Sequence, residues 1–159
     1  MDTTTDLATR VGHALKARNL LLATAESCTG GGVAQAITDI AGSSEWFDCG
    51  FVTYSNASKN ELLDISEALI AQHGAVSVEI AAAMAEAAVA NSNSNVAVST
   101  TGIAGPGGAV PGKPVGTVCF GWKIGDQTVT ERLVFSGDRR AVREQSVQHS
   151  LQGLLRLLT

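Results

Sequence analysis

The chain has 159 residues, 45% of them apolar, and a formal net charge of −4. That length fits one domain spanning residues 1–159, and the apolar share speaks against disorder. With 11 Lys and Arg against 15 Asp and Glu, the composition argues against a nucleic-acid partner, and no run reaches the roughly 18 apolar residues of a membrane-spanning helix.

The segment Met1 to Leu15 is polar and lacks the apolar centre of a secretion signal, so the cytoplasm is the expected compartment. Asp6 to Asn19 predicts an amphipathic helix, with Leu7, Val11, Ala14 and Leu15 at helical spacing. Leu20 to Ala25 is a short apolar run and reads as a buried strand. It leads into Glu26-Ser27-Cys28-Thr29-Gly30-Gly31-Gly32, then into a helix from Val33 to Ile40 that Gly42-Ser43-Ser44 ends. Trp46 to Tyr54, rich in aromatic and β-branched residues, predicts a second strand. Asn56 or Ser58 is placed to cap a short helix over Lys59 to Leu63.

Ser66 to Gln72 predicts a helix stopped at Gly74, and Ser77 opens a long alanine-rich helix ending near Asn91. Val96 to Thr100 predicts a third strand. The loop Thr101 to Pro114 then holds five of the 17 glycines and all three prolines. Val115 to Ile124 and Thr128 to Phe135 form a hairpin across Gly125-Asp126, and Asp138 caps a last helix towards Leu158. The order predicts a parallel sheet with helices on both faces, to which the hairpin adds an antiparallel strand.

Ser27 stands where a strand ends and a helix begins, the place where open α/β sheets bind ligands. Backbone N–H groups of a helix start can hold an oxyanion or a phosphate there, and glycines admit substrate close to the backbone. The alternative is that Ser27 or Thr29 is only a helix cap. Lys59 and Tyr54 follow the second strand, so they can meet Ser27 on the same sheet edge. A desolvated lysine is a known substitute for a histidine base, although Lys59 also reads as a solvated helix lysine and Tyr54 as a strand aromatic. His13, His73 and His149 read as surface or helix-end residues.

The run Thr101-Gly102-Ile103-Ala104-Gly105-Pro106-Gly107-Gly108 resembles a dinucleotide loop only loosely, and supplies either backbone or ribose contacts to a ligand or a plain crossover. Arg139, Arg140 and Arg143 sit at a helix start, where cations oppose the dipole. They either bind an anion or pair locally with Asp138 and Glu144. The three cysteines lie too far apart for a disulfide framework or a metal cluster, and no metal or cofactor is expected. Cys49 and Cys119 read as core residues. Cys28, at a helix start, occupies a position where a thiol pKa can fall.

Taken together, these stretches resemble the CinA C-terminal domain family. The resemblance rests on Ala25 to Gly31, Gly42 to Phe47, Gly50 to Asn56 with Lys59, His73 to Ser77, Thr101 to Pro106, Lys113 to Val118 and Phe135 to Arg139. It implies a three-layer α/β/α sandwich with a mixed, mostly parallel sheet. It implies hydrolysis of the carboxamide of nicotinamide mononucleotide, with Ser27 as nucleophile and Lys59 and Tyr54 as partners. Cys28, Thr29, Gly30, Gly31, Thr101, Gly102, Ile103, Ala104, Gly105 and Arg139 are then the expected substrate contacts. The partner is a small molecule, and the sequence is compatible with a homo-oligomer. Larger members carry an N-terminal domain resembling molybdopterin-binding proteins, whose activities are not expected here. The family also contains inactive paralogues and takes its name from competence and DNA damage, so a nucleotide-binding module and an interaction protein are the rival readings.

Overall fold

The computed structural model describes residues 2–159. Its elements in chain order are α1 (Thr4–Ala17), β1 (Leu22–Glu26), α2 (Gly32–Thr38), β2 (Phe47–Val52), α3 (Asn56–Leu63), α4 (Glu67–His73) and α5 (Val78–Ala90). These are followed by β3 (Val96–Gly102), β4 (Thr117–Ile124), β5 (Gln127–Val134) and α6 (Arg139–Leu158), with a short 3-10 turn at Ser43–Glu45 between α2 and β2. Every predicted element is present, with shifted bounds. The first helix starts at Thr4 because Thr3 and Asp6 form a reciprocal capping box. Ser55, rather than Asn56 or Ser58, caps α3, its hydroxyl accepting from the Ser58 N–H at 3.1 Å. The third strand runs on to Gly102 because Thr101 and Gly102 stay paired with β4.

The sheet order is β2-β1-β3-β4-β5. The first three strands are mutually parallel, and β4 is antiparallel to both its neighbours. Since β5 is antiparallel to β4, it points the same way as β1 and β3, and β4 alone is reversed. The result is the expected three-layer α/β/α architecture. One face packs on α1, α2 and α6 through Leu15, Leu22, Ile37, Val98, Phe120, Leu151 and Leu154. The other packs on α5 through Ala23, Ala25, Ala97, Met84 and Ala85. Neighbouring strand residues go to opposite sides, as pleating requires: Val96 and Val98 to one core, Ala97 to the other. Each large side chain buried here contributes about 1.5–3 kcal/mol.

The second face is lined by small residues, and α5 lies close upon it. A Cβ at Gly121 would fall 2.5 Å from the Ala81 carbonyl oxygen, and Ser99 Oγ donates to that same oxygen at 2.6 Å. His149 does not behave as a surface residue. Its ring centroid lies 4.7 Å from that of Phe120 and 5.8 Å from that of Trp122. The imidazole is half-buried and meets the rings of Phe120, Trp122 and Phe135 edge to face, which the sequence spacing alone did not reveal.

Topology decides where the chemistry sits. The register pairs Glu26 with Val52 and with Thr100, so β1, β2 and β3 end at one edge. The β4 start pairs with the β3 end, and α6 begins just beyond the end of β5. Four segments therefore meet there: 27–31, 53–59, 103–116 and 135–139.

Candidate active site

Ser27 extends the line of β1, its N–H donating to the Thr100 carbonyl at 2.9 Å. Thr53 does the same for β2, donating to the Glu26 carbonyl at 2.9 Å. The chain then turns at Ser55 into α3, whose Lys59 points back under the turn. Lys59 Nζ lies 3.1 Å from Ser27 Oγ, 2.7 Å from the Thr53 carbonyl oxygen and 3.4 Å from that of Tyr54. Lys59 is only 1% exposed and Ser27 8%. Burial pushes the Lys59 ammonium below the ordinary lysine range, with nearby Cys28 acting in the opposite sense. The solvated helix lysine is thereby ruled out.

Neither Ser27 nor Thr29 caps α2. The cap residue is Gly31, in the left-handed region at φ 98°, with no side-chain bond of its own. The buried carboxylate of Glu26 serves instead. It accepts from the N–H groups of Val33 at 2.8 Å and Ala34 at 3.0 Å, and from Thr29 Oγ1 at 2.6 Å. Thr29 Oγ1 also lies 2.7 Å from Thr100 Oγ1. The Thr29 side chain is thus part of the framework, and what it offers a ligand is its backbone. The positive end of α2 is already occupied by Glu26, so burial rather than the helix lowers the Lys59 pKa. A carboxylate at the end of an apolar strand, four residues before the glycine run, was the signal for this role.

Cys28 is not a nucleophile, although its position at a helix start is one where a thiol pKa can fall. It is buried, and desolvation raises its thiol to about 12, so the helix start does not activate it. Among the backbone donors of the turn, Gly30 N–H is taken by the Ser27 carbonyl at 3.0 Å. The N–H groups of Thr29 and Gly31 donate to nothing among the described residues.

Tyr54 is 59% exposed, in the turn after β2, and its phenol is held from across the cleft. Arg139 Nη2 donates to Tyr54 Oη at 2.8 Å, and Arg139 Nη1 donates to the Gly105 carbonyl at 2.8 Å. One guanidinium therefore clasps the β2 turn to the glycine-rich loop. In that loop Thr101 Oγ1 donates to the Ala75 carbonyl at 2.8 Å, a structural contact. Gly102 has no room for a Cβ, which would come 2.7 Å from Val118. Ile103 and Ala104 are buried, and the Ile103 N–H and carbonyl are both engaged with the start of β4. A cavity of about 840 Å³ opens beside the clasp, lined by Ala104, Pro106, Val115, Asp138, Arg139 and Arg143.

The arginines at the start of α6 divide. Asp138 caps the helix, and Arg140 pairs with Glu144 at 3.3 Å, the local arrangement. Arg139 and Arg143 instead reach the site, Arg143 donating to the carbonyls of Cys28 and Thr29. Among the described residues no group of three His, Cys, Asp or Glu is arranged to hold a metal, and no helix is long and apolar enough to cross a membrane.

Fold and site together define the class: a three-layer α/β/α protein with a buried Ser–Lys pair where its parallel strands end. The chain belongs to the CinA family, whose model of the CinA C-terminal domain matches residues 4–158. It is 52% identical over 159 residues to the nicotinamide-nucleotide amidohydrolase PncC of Pseudomonas putida, covering 100% of this chain and 99% of that one. Against the protein of the same name from Escherichia coli K12 the identity is 52% over 149 residues, 93% of this chain and 90% of that one. The crystal structure of a CinA superfamily protein from Klebsiella pneumoniae superposes with a TM-score of 0.95 at 38% identity, covering 99% of this chain and 98% of that one.

Proposed function

We propose that this protein is a cytoplasmic amidohydrolase that converts nicotinamide mononucleotide and water to nicotinic acid mononucleotide and ammonia. The observation that carries the reading is the 3.1 Å approach of Lys59 Nζ to Ser27 Oγ. Its surroundings suit a neutral amine. Such a group has two N–H donors and one lone pair. Lys59 Nζ donates to Ser27 Oγ and to the Thr53 and Tyr54 carbonyls, and once deprotonated it can keep both carbonyl bonds and turn its lone pair to the Ser27 hydroxyl. The names of the relatives supply the substrate.

In this mechanism Lys59 removes the Ser27 proton as Oγ attacks the carboxamide carbon. The pyridinium ring withdraws electrons from that carbon and eases attack. Thr29 and Gly31 N–H groups are the open donors for the oxyanion, Gly30 being engaged already. The C–N bond then breaks, ammonia takes the proton held by Lys59 or by Tyr54, and an acyl ester on Ser27 remains. Water, deprotonated by Lys59, hydrolyses the ester and frees Ser27. The cavity beside Arg139 is large enough for a ribose phosphate, whose charge Arg139 would meet. Nucleic acid and membrane have no part in this reading.

Ammonia release from nicotinamide mononucleotide tests it. The native chain should turn the substrate over, and Ser27→Ala should retain its fold and lose about 10⁴-fold or more in kcat. Binding without turnover would favour a nucleotide-binding paralogue, and neither binding nor turnover an interaction protein. A Ser27→Ala enzyme keeping a tenth of native kcat would remove Ser27 as nucleophile.

A further inference from the structure

Arg143 has an unusual set of partners. It stands in the second turn of α6, next to the core residue Val142. No carboxylate lies within ion-pair distance of it among the described residues, while its neighbour Arg140 takes Glu144. Instead Nε donates to the Cys28 carbonyl at 3.1 Å and Nη2 to the Thr29 carbonyl at 3.2 Å. A cation early in a helix opposes the dipole, so neither the helix nor an ion pair accounts for an arginine here. Gly30 leaves room for it: a Cβ at that position would lie 3.2 Å from Arg143 Nη2, at φ +59°.

The planar trans peptide turns this contact into a constraint on the site. In each peptide group the N–H points opposite to the carbonyl. With the Cys28 and Thr29 carbonyls both drawn to Arg143, the following N–H groups, of Thr29 and Gly30, must face the other way. The Gly30 N–H does so, meeting the Ser27 carbonyl at 3.0 Å. The Thr29 N–H is left on that same side, that of Ser27, without a protein acceptor among the described residues. A guanidinium bonded to the carbonyl also polarises the peptide and strengthens its N–H as a donor.

We infer that Arg143 is a positioning residue that orients the Thr29 N–H as an oxyanion donor, rather than a ligand for the substrate phosphate. This rests on the reading of Ser27 as nucleophile. Arg143 lines the same cavity as Arg139, so the phosphate role is the competing one. The two differ in what they do to kcat and KM. Loss of an oriented oxyanion donor lowers the rate of attack, whereas loss of a phosphate contact raises KM.

The test uses Arg143→Lys, which keeps the charge but not the fork of donors, and Arg143→Gln, both checked by thermal melting. Two readouts are taken. One is steady-state ammonia release from nicotinamide mononucleotide and from the corresponding riboside, which lacks the phosphate. The other is the rate at which a fluorophosphonate labels Ser27. In that reaction the Oγ–P bond forms, fluoride leaves and the Ser27 proton passes to Lys59, with no need for the natural substrate. Both variants should lose about 100-fold in labelling rate and in kcat, equally for nucleotide and riboside, with KM within about threefold of native. Unchanged labelling overturns the inference, as does a KM rise confined to the nucleotide. If Arg143→Gln has no melting transition, Arg143→Lys decides. A native protein that labels at Ser27 yet releases no ammonia sinks only the amidohydrolase reading, and the labelling rates still judge Arg143. A native protein that does not label at Ser27 overturns both.

Discussion

Lys59 illustrates how position converts a common residue into a chemical group. On a short surface helix a lysine is normally solvated and charged near its ordinary pKa of about 10.4. Here α3 turns it inward, two carbonyls meet it, and burial pushes its pKa down. The neutral base therefore forms at lower pH than for a solvated lysine. The rate of ammonia release should accordingly rise with pH along one ionisation below the ordinary lysine range. Arginine stays protonated throughout that range, so Lys59→Arg should be as inactive as Lys59→Ala, by roughly 10³-fold or more. A pH–rate profile of the three proteins checks this, and an active Lys59→Arg enzyme with the native profile would hand the proton transfer to Tyr54. Ser27, Tyr54 and Lys59 were legible as residues of interest because they lie at or beyond the ends of two predicted strands. The absence of a nearby histidine already argued against Cys28 as nucleophile, but the burial that raises its thiol is announced by no local pattern.

At the scale of elements, the start of α2 depends on one buried carboxylate. Glu26 is 1% exposed and accepts from two backbone N–H groups and a threonine hydroxyl. Hydrogen bonds to a charged acceptor contribute about 1.5–3 kcal/mol each, and buried donors left without partners cost a similar amount. Glu26→Ala should therefore lower the unfolding free energy by about 3 kcal/mol or more in urea titrations, with Glu26→Gln losing less because it keeps one oxygen acceptor. A loss under about 1 kcal/mol for the alanine variant would show that water replaces the carboxylate. Sequence reading placed this helix within two residues at each end, from the apolar spacing and the Gly42 stop. The only caps it weighed were the hydroxyls of Ser27 and Thr29, as the alternative to a catalytic role, because short polar residues are the usual caps, whereas here the long Glu26 side chain reaches over the Gly30-Gly31 turn.

For the whole molecule, His149 ties stability to pH. Its ring is packed among Phe120, Trp122 and Phe135, with Glu131 Oε2 3.5 Å from Nε2 and Arg156 bonded to Glu131 at 2.6 Å. Burial lowers its pKa below the model-peptide 6.5, with Glu131 opposing and Arg156 adding to the shift. The unfolded chain then binds the proton more readily than the folded one. The stability is fully present above the unfolded pKa and is lost as pH falls through it towards the folded value. The melting temperature should fall between about pH 7.5 and pH 5, and His149→Asn should flatten that decline while lowering stability at neutral pH. An unchanged slope in the variant would assign the acid sensitivity to other groups.

The sequence by itself determined the elements, their α/β class and the segments that carry chemistry. Apolar periodicity, glycine breaks and capping residues act over a few neighbours, and a handful of motifs at fixed intervals is specific to one family. Only the tertiary structure decided the strand order, the burial of Lys59 and His149, the Glu26 cap, and the division of labour among Arg139, Arg140 and Arg143. The Lys59–Ser27 contact joins residues 32 positions apart, and the Arg143–Cys28 contact joins residues 115 apart, both at the ends of parallel strands. Which pairs meet is set by how the sheet and its helices bury their apolar faces together, a condition on the whole chain that no local stretch contains.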